Sequence, residues 1–152
     1  MEREELGDMW KRKRQNTYTI VIGCGQQSEQ VASKLADAGK MVLLVDNTED
    51  ARSQIPGNIP REHLIEDVTS RKVLDRIRMD TASAVVLAME SENANIMIAQ
   101  LAREEYHVPV VIALSKDPQR RFLYDRFGVR SIEEDEFNTE RVMNYLISNK
   151  AG

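Results

Sequence analysis

The sequence predicts an α/β domain built on a doubly wound, six-stranded parallel sheet. Three observations carry this reading. Short apolar runs alternate with stretches of helical periodicity, and the alternation repeats six times along the chain. The apolar runs are continuous rather than alternating, which marks strands buried on both faces of a sheet. The 152 residues suit one domain, and 41% of them are hydrophobic, enough for a core. Right-handed crossovers between parallel strands then leave few topologies, led by the doubly wound one.

Residues 1–16 read as a lead-in helix or linker ahead of a domain over 17–150. Leu6, Met9 and Trp10 follow helical spacing, and residues 11–14 form a basic run, which suits either a solvated helix or a segment near a membrane surface or partner. Residues 18–22 are a β-branched run that ends at a glycine, hence a buried strand. A helix follows over 26–38, with Val31, Leu35 and Ala38 on one face and Gly39 as its stop. Residues 41–45 form the second strand. Residues 47–54 suit a short helix, broken by Pro56, Gly57 and Pro60. A short third strand covers 63–66, and a helix over 70–78 carries Val73, Leu74 and Ile77. The fourth strand is 84–88. The helix over 91–106 has Ile96, Ile98, Ala99, Leu101 and Ala102 on its apolar side. The fifth strand, 108–114, is interrupted by Pro109 near its start. Asp117 then caps a helix with Pro118 at its first position, and that helix carries Phe122, Leu123 and Phe127. A sixth strand at 129–132 precedes a closing helix over 138–149. There Val142, Leu146 and Ile147 are expected to face inward, while Met143 and Tyr145 lie off the stripe, where they would suit a dimer surface.

Composition narrows the function classes. A net charge of -4 argues against general nucleic-acid binding, which favours a basic excess. One cysteine permits no intramolecular disulfide and suits a reducing compartment. His63 and His107 stand alone, and nothing in the spacing suggests a metal site. No apolar run approaches the roughly 20 residues that span a bilayer, so the chain is expected to be soluble and cytoplasmic.

The first strand runs directly into Gly23-Cys24-Gly25-Gln26-Gln27-Ser28, which opens a helix. This is the dinucleotide fingerprint of Rossmann folds in its required context, with serine at the third glycine position. Gly23 is expected to permit the tight turn and Gly25 to let a pyrophosphate approach the backbone. The helix start offers N–H groups and a positive dipole end. Ser28 is small enough to keep the helix close to the sheet, whereas Gln26 and Gln27 could either crowd the phosphate path or donate to it. Asp46, followed by Asn47, closes the second strand where an acid binds ribose hydroxyls; it would repel a 2′-phosphate. Cys24 reads as a small space-filling residue or as a thiol activated near the helix start.

Beyond the glycine turn, the chain resembles the nucleotide-binding half of RCK (KTN, TrkA-N-like) domains, which regulate potassium channels and transporters. The resemblance covers roughly residues 17–148. Glu66-Asp67-Val68-Thr69 is similar to the family's Gly-Asp-Ala-Thr segment, which contacts the adenine end. Ala88-Met89-Glu90-Ser91-Glu92-Asn93 resembles a second ligand-contacting segment, and residues 110–118 and 127–129 resemble the later part of the pattern. The resemblance adds Asp67, Val68, Met89, Glu90 and Asn93 to the candidate cofactor-binding set of Gly23, Cys24, Gly25, Gln26, Gln27, Ser28, Asp46 and Asn47. It implies NAD(H), ATP, ADP or AMP as ligand, and a homodimer or larger ring. It also implies a potassium channel or transporter subunit as membrane partner, with the domain peripheral to the inner face of the membrane. The sequence departs from the pattern at Ser28, at Glu66, and at Leu114, where many members carry an arginine; Lys116 is a candidate substitute. The family's C-terminal companion domain has no counterpart in this sequence.

Catalytic signatures are lacking: there is no Tyr-x-x-x-Lys pair, no Ser/His/Asp arrangement and no Gly-Lys-Ser/Thr loop. Asp67, Glu90, Glu92 and Asp117 read as helix caps more readily than as acids or bases. The expectation is a ligand-sensing regulatory module rather than an enzyme. The alternatives are a small NAD-dependent oxidoreductase and an oligomerisation scaffold that binds nothing.

Overall fold

A computed structural model describes residues 18–23, 25–46, 63–65, 68 and 70–148. The lead-in segment and the short helix expected over 47–54 lie outside the described residues. Six strands, β1 (Thr19–Gly23), β2 (Val42–Asp46), β3 (His63–Ile65), β4 (Ala84–Ala88), β5 (Val110–Ser115) and β6 (Arg130–Glu133), form one sheet in the order β3-β2-β1-β4-β5-β6. Every neighbouring pair is parallel. The described helices are α1 (Gln26–Asp37), α2 (Arg71–Arg76), α3 (Glu92–Glu104), α4 (Arg121–Phe127) and α5 (Thr139–Ser148). The six-stranded α/β Rossmann fold expected from the sequence is the fold observed.

The continuous apolar strands are explained by burial on both sides. All five residues of β1 and all five of β4 are buried. Val21, Leu44, Val86 and Ile112 face Val31, Ala32 and Leu35 of α1 and Val142 of α5. Ile20, Ile22, Val85 and Leu87 face Val73 and Leu74 of α2, Ile98, Ala99 and Ala102 of α3, and Tyr124 of α4. Successive side chains on a strand point to opposite faces, so one strand feeds two cores. Each large aliphatic side chain buried this way contributes about 1.5–3 kcal/mol. A right-handed crossover from β1 to β2 puts α1 on one face, and crossovers in the opposite direction put α3 and α4 on the other.

Local boundaries shift for identifiable reasons. The fifth strand starts at Val110, not at residue 108, because Pro109 has no N–H and the Val108 N–H is already committed to the Ala102 carbonyl at 2.9 Å. Asp117 caps as expected, accepting from the Gln119 N–H, but residues Pro118–Arg120 form a 3-10 turn before α4 begins. Within α4 the inward residue is Tyr124, whereas Phe122 is 61% exposed. In α5, Val142 faces the core, but Ile147 is 63% exposed, contrary to the inward expectation. Ile147 follows Val142 by five residues, about 140° around this ten-residue helix, so it points away from the buried row. Tyr145, half-buried, stacks beneath the Arg130 guanidinium at 4.6 Å.

Candidate functional site

The direction of winding reverses between β1 and β4, which is where open α/β sheets bind ligands at the carboxyl ends of their strands. The turn after β1 and the loop after β4 flank that crevice, and Gly23 lies directly beside Ala88 in the ladder. Strand order alone thus brings Gly23 and Gly25 close to the loop that carries Met89 and Glu90.

The two glycines serve different needs. A Cβ on Gly23 would lie 2.5 Å from the Ala88 carbonyl oxygen and 2.7 Å from Ser28 Oγ. Gly23 is therefore required by close packing, and it is not among the residues with positive φ. Gly25 is the reverse case. Its φ is 95°, a conformation largely reserved for glycine, and a Cβ there would meet nothing within 4 Å. Gly25 also precedes α1, which no side chain caps. The first N–H groups of that helix have no intrahelical acceptor, so they are donors available to an anion.

Ser28 keeps the close packing that a third glycine would provide. It is 1% exposed, and its Oγ, buried against Gly23, has no hydrogen-bond partner. The two glutamines also separate. Gln27 Nε2 donates to the Phe137 carbonyl at 3.2 Å, which ties its side chain to the loop before α5. Gln26 is exposed.

Opposite the glycine turn, the Met89 side chain is fully buried in the core under α3, whereas Glu90 and Asn93 are exposed. Val68 is fully buried as well. The loop is held by a residue that sequence reasoning did not select. Asn95, 0% exposed, accepts from the Met89 N–H at 3.0 Å and donates to the carbonyls of Met89 at 3.1 Å and Leu114 at 3.3 Å. The only sequence signal was an amide in line with Ile98, Ala99 and Ala102 on an otherwise apolar stripe.

Ser91 caps α3 by accepting from the Ala94 N–H at 3.2 Å. The Glu92 carboxylate accepts from the main-chain N–H of Lys116 at 3.2 Å and of Asp117 at 3.4 Å. The Lys116 ammonium donates to the Glu90 carbonyl at 2.7 Å, closing the clasp between the two loops. Burial, together with the nearby Glu92 carboxylate, raises the Tyr124 phenol well above its usual range. Leu114 is 5% exposed and packs in the core under α1 and α5, where a cation would be costly. Asp46 closes β2, paired with Ile65 of β3. Cys24, Asn47, Asp67 and the flanking Glu66 and Thr69 lie outside the described residues.

Known proteins share this architecture. A TrkA potassium uptake protein of the Trk system in Streptomyces coelicolor is 22% identical over 134 residues, which cover 88% of this chain and 60% of that protein. The chain therefore spans 60% of that relative's length. The GsuK channel bound to NAD superposes with a TM-score of 0.68 at 16% identity, covering 89% of this chain and 24% of that one. The Shewanella denitrificans Kef CTD in AMP-bound form gives 0.64 at 21% identity, covering 78% and 71%. At these identities the structural likeness establishes the fold alone. No helix among the described residues is long and apolar enough to cross a membrane. The TrkA-N domain family matches residues 19–134, from β1 through the end of β6, and the chain belongs to that family.

Proposed function

We propose that this chain is a regulatory domain that binds an adenine nucleotide between β1 and β4 and controls potassium transport through a membrane partner. The observation that carries the reading is Gly25. It stands at positive φ, with open space where a side chain would be, at the head of an uncapped helix beside the switch point. Backbone N–H groups there suit phosphate oxygens. Asp46 would accept from the ribose hydroxyls and disfavour a 2′-phosphate, so the ligand class is NAD(H), ATP, ADP or AMP rather than NADP. Asn47, Asp67, Glu90 and Asn93 would line the remaining crevice, and Met89, its N–H and carbonyl held by Asn95, would contribute the shape of its backbone.

Three relatives support a nucleotide-linked role in potassium transport: one is a potassium uptake protein, one a channel bound to NAD, and one a Kef CTD in AMP-bound form. In this reading, paired copies at the inner membrane face change their relative arrangement on binding. The nucleotide shifts that equilibrium only as far as it favours one arrangement over the other. The chain has no catalytic role in this reading.

The test is calorimetric titration with NAD, NADH, ATP, ADP and AMP, alongside a turnover assay with hydride acceptors. Binding without turnover is expected. Asp46→Ala should weaken the ligand by about tenfold, the loss of a charge-assisted hydrogen-bond pair. Unchanged affinity would mean that Asp46 does not hold the ribose, and hydride transfer to any acceptor would replace the regulatory reading with an enzymatic one.

A further inference from the structure

We infer that Asn95 is a positioning residue for the nucleotide site: its buried amide fixes the loop after β4, which forms the wall of the crevice facing the glycine turn. The inference rests on the nucleotide-binding reading above.

Asn95 occupies the inward row of α3 with Ile98, Ala99 and Ala102, where an unbonded amide would be costly. All three hydrogen bonds that it makes go to main chain, and they join two loops. Its carboxamide closes a ring with both the N–H and the carbonyl of Met89, and a third bond reaches the Leu114 carbonyl near the end of β5. Met89 directly follows Ala88, whose carbonyl presses against Gly23. A continuous chain of contacts therefore runs from the glycine turn through Ala88 and Met89 to Asn95 and on to β5. Glu92, one turn earlier on the same helix, braces the main-chain N–H groups of Lys116 and Asp117, two and three residues beyond Leu114. Aspartate at 95 would keep the acceptor for Met89 but lose both donations. The far end of α3 is anchored independently, since Arg103 donates to the carbonyls of Val108, Pro109 and Phe127, just ahead of β5 and β6 and at the other end of the strands from the crevice.

That independence supplies the control. Asn95→Asp, Asn95→Ala and Arg103→Ala would be compared with the unaltered chain by calorimetry with NAD, NADH, ATP, ADP and AMP. The temperature would be one at which circular dichroism shows each protein folded. Both Asn95 variants should weaken binding by about tenfold, with the nearly isosteric Asn95→Asp remaining folded if the alanine variant does not. Arg103→Ala should lower the melting temperature and leave affinity within about twofold, because it acts far from the crevice. Folded Asn95 variants that bind like the unaltered chain would overturn the inference. So would an Arg103→Ala variant that weakens binding equally, since the effect would then be general loosening. If the unaltered chain binds none of the five nucleotides, the functional reading itself fails and the inference falls with it.

Discussion

Replacing Gly23 by alanine puts a methyl group where β1 and β4 are in contact. The added carbon would sit 2.5 Å from the Ala88 carbonyl oxygen, 2.8 Å from its carbon and 2.7 Å from Ser28 Oγ. These separations fall about an ångström short of ordinary contact. Two of the three belong to backbone in a fully paired parallel ladder, where neither strand has room to move: Gly23 and every other residue of β1 and β4 are buried. Overpacking of this kind costs about 1–3 kcal/mol. For a domain of this size each kcal/mol lowers the melting temperature by about 2–4 °C, so a fall of roughly 2–12 °C is expected. Differential scanning calorimetry measures it directly. Adding Ser28→Gly to Gly23→Ala removes the 2.7 Å contact and leaves the 2.5 Å one, so it should recover only a minor part of the loss. A Gly23→Ala variant that melts within about a degree of the unaltered chain would refute the packing account of this glycine, as would full recovery in the double variant.

Two further predictions follow from single side chains. Ser28→Ala deletes a buried hydroxyl without a partner and places a better helix former in α1, so it should stabilise the domain by about 1 kcal/mol in denaturant titration; a loss of stability would show that the hydroxyl is engaged. Burial, and then its hydrogen bond to Asp75 at 2.6 Å, push the Tyr106 phenol up to about 12 from 10.0. Because the folded value is the raised one, the stability difference between the unaltered chain and Tyr106→Phe should be complete below pH 10 and vanish as pH rises through about 12. A pH-independent difference would rule out that bond as the source.

The glycine turn of the candidate site was legible because its signals are local. A glycine pair between a β-branched run and a helical stretch identifies the turn regardless of what surrounds it. The expected reason for Gly23 was nevertheless incomplete. The sequence suggested a turn requirement, but the structure shows a steric one, set by Ala88, which is 65 residues away in the chain. Gln26 and Gln27 looked equivalent in sequence; only the tertiary position of Phe137 gives Gln27 an acceptor. Asn95 escaped notice because a polar residue on an apolar stripe gains meaning only once its partners are known, and those are main-chain groups of two separate loops.

The chain order of apolar runs and glycine stops by itself determined the fold, since periodicity and punctuation are properties of neighbouring residues and right-handed crossover leaves few ways to wind them. It also determined that the glycine turn and the end of the second strand would meet at one edge. Tertiary structure alone decided how the loop after β4 is held: the Met89 side chain turns into the core, Lys116 donates to the Glu90 carbonyl, and Asn95 bonds the Met89 main chain. The reason is physical: a hydrogen bond or a steric contact depends on distances between elements, and sequence spacing does not encode those distances until the sheet brings the elements together.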